Sequence, residues 1–247
     1  MTLLLLAGSG EARTIADGLA ARGADAVVSF ADARRASDKG ALPQVTGGFG
    51  GADGFRRFLT NRGVTAVLDA THPFAMRISH RTADICTALG LPYALVLRPA
   101  WAPGLGDCWT FITHEEEAHT HIAPDETVFL ATGRQTLQRF AGLAGRQVYC
   151  RQLSPPDGPF PFEGGQYLLG KAPFSVADEV ALFRKLGVDW LVVKNAGGSM
   201  PQSKLIAART LGIRVMMVNR PAPPPDALIF SDADQALDWA LVQVGVQ

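Results

Sequence analysis

The sequence predicts an α/β protein built of two parallel-sheet domains, and three observations predict it. Short apolar runs recur along the chain and stop at Gly, Pro or a polar loop, as fully buried strands do. Stretches with helical spacing of apolar residues lie between them, and several close on Gly. The alternation breaks once, over residues 98–126, where RPAWAPGLGDCW is rich in Pro and Gly and EEEAH is polar. Strands that alternate with helices form parallel sheets covered on both faces. The break places a junction between an N-terminal domain, residues 1–110, and a C-terminal domain, residues 111–247.

Residues 3–7 are a continuous apolar run and form the first strand. Ala12, Ile15, Ala16, Leu19 and Ala20 share a helical face, and Gly23 stops that helix. Residues 26–30 (AVVSF) make the second strand. Phe55, Phe58 and Leu59 indicate a helix ahead of the strand 65–70 (TAVLDA). Ile78, Thr82, Ile85 and Leu89 space another helix, closed by Gly90, and 93–97 (YALVL) is a strand. Beyond the junction, 127–131 (TVFLA) is a strand, 135–143 a short helix and 147–151 (QVYCR) a strand. Residues 175–187 read as a helix. Ser175 with Asp178 resembles a capping box, Val176, Val180 and Phe183 share a face, and Gly187 ends it. Residues 189–193 (DWLVV) are a strand, 202–211 a helix and 214–218 (RVMMV) a strand. PAPPP (221–225) is an extended connector, and 233–242 is the closing helix.

Composition narrows the function. At 247 residues, with 47% hydrophobic and 19% charged residues, the chain is globular and can bury a sizeable core. Lys+Arg and Asp+Glu balance at 23 each, so no global basic field favours nucleic acid. Cys86, Cys108 and Cys150 are far apart with no CxxC spacing, which argues against zinc or a disulfide framework and suits a reducing compartment. The apolar start lacks a positive n-region, and no segment approaches a membrane span. The expectation is a soluble, cytoplasmic chain with no membrane or metal; its modest size and lack of heptads suit a monomer.

AGSGEAR (7–13) lies between a buried strand and a helix, where α/β sheets bind dinucleotides. Gly8 and Gly10 let a backbone approach a pyrophosphate, with Ser9, Glu11 and Ala12 beside them, but Arg13 stands where a third glycine is usual. Glu11 suits the helix dipole yet repels a nearby phosphate. A tight turn with no ligand explains the stretch equally well. At the end of the second strand, Ser29 with Arg34 and Arg35 favours NADP over NAD, although Asp32 points the other way. LDATHPF (68–74) ends a strand in acid, hydroxyl and imidazole, placing Thr71, His72 and Pro73 at the ligand edge of the sheet, with Pro73 expected to start the next helix. Two further loops follow strands: ATGRQ (131–135), with Thr132, Gly133, Arg134 and Gln135, and KNAGGSMPQSK (194–204), with Lys194, Asn195, Gly197, Gly198 and Lys204. Exposed N–H groups beside fixed cations suit phosphate or carboxylate, so two such loops indicate a substrate with more than one negative group. Ordinary strand-to-helix turns remain the alternative.

Ser154, Tyr167 and Lys171 have the spacing of a short-chain dehydrogenase triad. Gly164, Gly165, Gly170 and Pro173 leave no helix on which tyrosine and lysine can share a face, so the triad is rejected. His114, His119 and His121 match no zinc spacing and receive no role.

Together these stretches resemble the precorrin-6A reductase family of cobalamin biosynthesis along nearly the whole chain. The resemblance rests on LLLLAGSGEAR, LDATHPFAMRIS, LVLRPAW, VFLATGRQ, and VVKNAGG with SKLIAARTLGIRVMMVNRP. Departures are small: Ala7 and Ser9 stand where Gly and Thr are common, and Ala196 where Ser is common. The resemblance implies two Rossmann-like domains with the cofactor in the cleft between them. It implies NADPH-dependent reduction of one double bond of precorrin-6A to precorrin-6B, with hydride delivered to C19 of a tetrapyrrole that bears many carboxylates. Thr71 and His72 would then face the ribose–nicotinamide half. The proton donor stays open among water, a substrate carboxyl group and His72. Two other readings compete: a non-catalytic NADP-sensing regulatory protein, and an NADP-dependent oxidoreductase of a small carbonyl substrate.

Overall fold

The computed structural model describes residues 1–31, 40–198 and 202–246. The chain opens with β1 (Thr2–Ala7), α1 (Gly10–Ala21), β2 (Ala26–Phe30), β3 (Gln44–Thr46), α2 (Gly51–Asn61), β4 (Val64–Ala70), α3 (Met76–Leu89) and β5 (Tyr93–Val96). It continues through β6 (Trp109–Ile112), β7 (Val128–Leu130), β8 (Val148–Gln152), β9 (Gly165–Leu169), α4 (Val176–Leu186), β10 (Trp190–Lys194), α5 (Ser203–Leu211) and β11 (Arg214–Val218). It closes with β12 (Leu228–Phe230) and α6 (Ala233–Val244).

The strands form two six-stranded sheets, in the orders β12-β5-β4-β1-β2-β3 and β6-β11-β10-β7-β8-β9. Every pairing is parallel. Both are doubly wound, Rossmann-like sheets: the winding reverses between β1 and β4 in one, and between β7 and β10 in the other.

The leucine run in β1 follows from burial on two faces. Leu3, Leu5 and Ala7 pack with Ile15 and Leu19 of α1 and with Leu237 and Leu241 of α6. Leu4 and Leu6 point the other way, onto Phe55 and Leu59 of α2 and Ile85 of α3. A strand covered on both faces needs apolar residues at every position rather than at alternate ones. In the second sheet, Phe129, Leu191, Val193, Val215 and Met217 meet Phe183 of α4 and Leu205 of α5. The capping box expected at Ser175 forms, with Ser175 Oγ accepting from the Asp178 N–H at 3.1 Å. Residues 115–120 and 137–143 are short 3-10 segments rather than α-helix, and they pack on one another.

Two compact units result: residues 1–99 with 221–247, and residues 100–220. The division differs from the one expected at residue 110. β6 pairs with β11, so the Pro- and Gly-rich junction already belongs to the second unit. Residues 221–247 return to the first unit, because β12 pairs with β5 and α6 packs on α1. Gly18 is the reason α6 can approach so closely, since any side chain there would run into Leu237. Among the described residues, no helix is long and apolar enough to cross a membrane.

Candidate active site

Four of the loops singled out above flank the two winding reversals. In the first unit, the loops after β1 and β4 touch. The Gly8 N–H donates to the Ala70 carbonyl at 3.2 Å, and Ser9 Oγ donates to the same oxygen at 2.8 Å. A Cβ on Gly8 would lie 3.1 Å from His72 N and 3.2 Å from Thr71 Cα, so a side chain there would need this backbone to give by a few tenths of an ångström. Ser9 also caps α1, its hydroxyl accepting from the Ala12 N–H at 3.4 Å. At Gly10 a Cβ would meet nothing within 4 Å among the described residues. Nothing in the packing around it demands glycine there, and its bare surface leaves the first turn of α1 open to a ligand.

Asp69 explains how β4 ends. It is fully buried; Oδ1 accepts from the Thr71 N–H at 3.0 Å, and Oδ2 accepts from the Tyr93 hydroxyl at 3.0 Å. Burial and the nearby Asp69 carboxylate push the Tyr93 phenol far up, so it remains a donor. Asp69 therefore shapes the strand exit rather than facing a ligand. Beyond it, His72 Nδ1 accepts from the Phe74 N–H at 3.3 Å, and the His72 carbonyl accepts from the Ala75 N–H at 2.7 Å. That turn separates Pro73 from the helix: α3 begins at Met76, so Pro73 is not its first residue. The Thr71 hydroxyl is buried and has no hydrogen-bond partner among the described residues. An orphaned hydroxyl at a ligand edge, beside an open glycine turn, fits a dinucleotide.

Glu11 does not confront that space as a bare charge. Arg98, just beyond β5, pairs with it at 2.6 Å, and both side chains are largely sheltered. Sequence reasoning missed Arg98, although an arginine directly after an apolar strand at the ligand edge was there to be noticed. Ser29 is buried in β2, while Arg34 and Arg35 lie outside the described residues.

In the second unit, the loops after β7 and β10 carry Gly133, Gly197 and Gly198 at φ of 76°, 68° and 84°. Left-handed glycines turn the chain sharply at the strand ends. Thr132 is nearly buried, and its hydroxyl finds no partner among the described residues. Gln135 is exposed. Arg134 pairs with Asp157 at 2.9 Å. Lys194 Nζ lies 3.7 Å from Glu115, a buried carboxylate that Arg139 also reaches at 3.3 Å. Burial lowers the Lys194 pKa, and Glu115 opposes that shift.

The Asn195 side chain is committed within the protein rather than turned to a ligand. Its Oδ1 accepts from the Trp101 N–H at 2.8 Å, and its Nδ2 donates to the Trp101 carbonyl at 3.0 Å. Trp101 Nε1 in turn donates to the Gly198 carbonyl at 2.8 Å. The KNAGG loop thus clamps the segment entering this unit. Lys204 stands in the first turn of α5, near Arg151 and Glu179. Those two form a buried bidentate pair at 2.7 and 2.6 Å. Tyr167 lies on β9, not on a helix, which removes the short-chain dehydrogenase geometry.

A family model described as precorrin-6x reductase CbiJ/CobK matches residues 2–241. The chain belongs to the precorrin-6x reductase family. It is 40% identical over 240 residues to a precorrin-6A reductase of Rhodococcus erythropolis, covering 96% of each chain. It is 38% identical over 224 residues to one of Rhodobacter capsulatus, covering 90% of this chain and 89% of the relative. A solved structure named CobK precorrin-6A reductase matches with a TM-score of 0.90 at 36% identity, over 100% of this chain and 99% of that one. In this member of the precorrin-6x reductase family, then, one winding reversal presents an open glycine turn with an orphaned threonine. The other presents glycine loops with Arg134 and Lys204.

Proposed function

We propose that the protein catalyses NADPH-dependent reduction of precorrin-6A to precorrin-6B in cobalamin biosynthesis. Membership of a precorrin-6x reductase family supports the reaction class. The observation that carries the cofactor assignment is the Gly8–Gly10 turn packed against Thr71 and His72 at the β1/β4 reversal.

Gly8, Ser9, Gly10, Glu11 and Ala12 would hold the pyrophosphate at the start of α1, where N–H groups and the helix dipole favour an anion. With Glu11 neutralised by Arg98, its carboxylate does not oppose that placement. Ser29, Arg34 and Arg35 would accommodate the 2′-phosphate. Thr71, His72 and Pro73 would line the ribose–nicotinamide half, giving the Thr71 hydroxyl the partner it lacks within the protein. When bound, the reduced nicotinamide supplies the hydride, which adds to C19 of the macrocycle. Thr132, Gly133, Arg134, Gln135, Lys194, Gly197, Gly198 and Lys204 would receive substrate carboxylates. Asn195 would hold the loop that carries them. Much of the rate then comes from orientation of the two reactants.

The proton that completes the addition has three candidate sources: water, a substrate carboxyl group and His72. The Phe74 N–H donates to His72 Nδ1, so His72 would have to be protonated at Nδ1, at the expense of that bond, before it could act as the acid.

The test is NADPH consumption by the purified protein with precorrin-6A present and then omitted, repeated with NADH. Oxidation should require precorrin-6A and proceed faster with NADPH. A preference for NADH would remove the Ser29, Arg34 and Arg35 assignment and keep the reductase. Tight NADPH binding without oxidation would favour a nucleotide-sensing protein.

A further inference from the structure

Arg134 lines a pocket of about 280 Å³ together with Leu137, Gln138, Pro156, Asp157 and Tyr167. The outer wall is a stiff loop. Pro155, Pro156, Pro159 and Pro161 restrict its backbone, each fixing a φ angle. Phe160 anchors it, its ring centroid 4.8 Å from that of Phe162 and 4.9 Å from that of Tyr167. The same ring covers Gly165, where any side chain would enter it. The Tyr167 hydroxyl donates back to the loop at the Pro159 carbonyl, 3.4 Å away. Asp157 stands on this frame with 83% of its side chain exposed, yet its carboxylate accepts from Arg134 Nη1 at 2.9 Å.

One arginine donor is therefore engaged by an internal carboxylate that solvent surrounds, at the rim of a pocket. A carboxylate arriving from solvent meets the guanidinium where Asp157 already sits. We propose that this pocket is the subsite for one acetate or propionate arm of the substrate, and that Asp157 occupies Arg134 in the free protein until that arm displaces it. The inference rests on the reading of the substrate as a polycarboxylate tetrapyrrole.

Displacement is easy, because exposed ion pairs contribute little. The exchange is favourable, because an untethered carboxylate can take the guanidinium through two parallel bonds where Asp157 takes one. The Tyr167 hydroxyl gives its one proton to the Pro159 carbonyl, so Arg134 is the donor that the arm meets in this pocket. The loop presents Asp157 to solvent, so removing its charge frees Arg134 without opening the core. Removal also abolishes its repulsion of an incoming carboxylate, which acts in the same direction.

The experiment compares wild type, Asp157→Asn and Asp157→Glu by KM for precorrin-6A and by Kd for uroporphyrin III, read from porphyrin fluorescence. Uroporphyrin III is a tetrapyrrole with acetate and propionate arms and needs no turnover. Asp157→Asn should lower both constants about two- to fivefold, the range of one exposed ion pair. Asp157→Glu should restore wild-type values, and in an Arg134→Ala background Asp157→Asn should retain only the smaller gain that comes from lost repulsion. Unchanged or weaker binding by Asp157→Asn, with Arg134 present, overturns the subsite. If precorrin-6A is not turned over while uroporphyrin binding tightens as expected, the subsite stands and the reductase reading falls. If turnover is normal and neither constant moves, the reverse holds.

Discussion

Lys204 illustrates what a buried cation does to the protein that carries it. Burial is the main reason its pKa falls to about 8; Glu179 opposes the shift and Arg151 adds to it. In the unfolded chain the same group holds its proton up to about pH 10.5. Between these values the unfolded chain binds more protons than the folded one, so stability rises with pH across that window. Below about pH 8 the penalty for burying the ammonium is present in full. Lys204→Met should therefore stabilise the protein at pH 7 by on the order of 2 kcal/mol, and the gain should fade by about pH 10.5. Thermal unfolding at both pH values tests this, and an equal gain at each would show that charge burial is not the cause. The same variant should bind precorrin-6A more weakly, because a residue kept at the expense of stability is one that function needs. Arg151 and Glu179, by contrast, satisfy one another through two parallel bonds.

Elements meet at the β1 and β4 loops, and there the two glycines make opposite predictions. Gly8→Ala drives a methyl group against the backbone of Thr71 and His72, which cannot swing aside as a side chain would. It should lower stability by about 1–3 kcal/mol and weaken NADPH binding. Gly10→Ala meets open space and fills the first helical position with a better helix former, so stability should hold or rise by up to ~1 kcal/mol. Its methyl group would stand where the pyrophosphate is proposed to lie, so NADPH affinity should still fall. Denaturant titrations and fluorescence titration with NADPH measure the two effects, and a Gly10→Ala protein with full NADPH affinity would refute the cradle. The interior strands were legible in the sequence because each is apolar along its length. The strands that escaped notice, β3, β6, β9 and β12, are the four sheet edges. An edge strand is short and half exposed, so polar residues such as Gln44, Thr110 and Gln166 interrupt the apolar pattern that marks an interior strand. The site was legible in a similar way. Glycines and cations at strand ends betray a ligand edge, but partners far apart in sequence do not announce themselves. Glu11 with Arg98, Lys194 with Glu115, and Asn195 with Trp101 became visible only once the chain was folded.

At the scale of the molecule, the route of the chain matters more than any single contact. The residues proposed to hold the dinucleotide all lie before position 74, yet the unit that carries them is completed by residues 221–247. A chain ended at Arg220 would lack β12 and α6 and so expose Leu3, Leu5, Ile15 and Leu19, which α6 helps to cover. Such a chain should fail to bind NADPH although every proposed contact residue is present, and calorimetric titration of the shortened protein would test it. Retained affinity would mean that β12 and α6 are dispensable to the first unit. The same route has a consequence for synthesis on the ribosome. Domains of a nascent chain ordinarily fold in order of emergence, as translation proceeds at about 5–20 residues per second. Here the unit that starts first must wait for the last helix, while residues 100–220 leave the exit tunnel as a complete set. The second unit can therefore close while the leucine-rich first strands are still uncovered. For that interval, on the order of a few seconds at such rates, β1 and β4 depend on chaperones or on provisional pairing to stay out of aggregates.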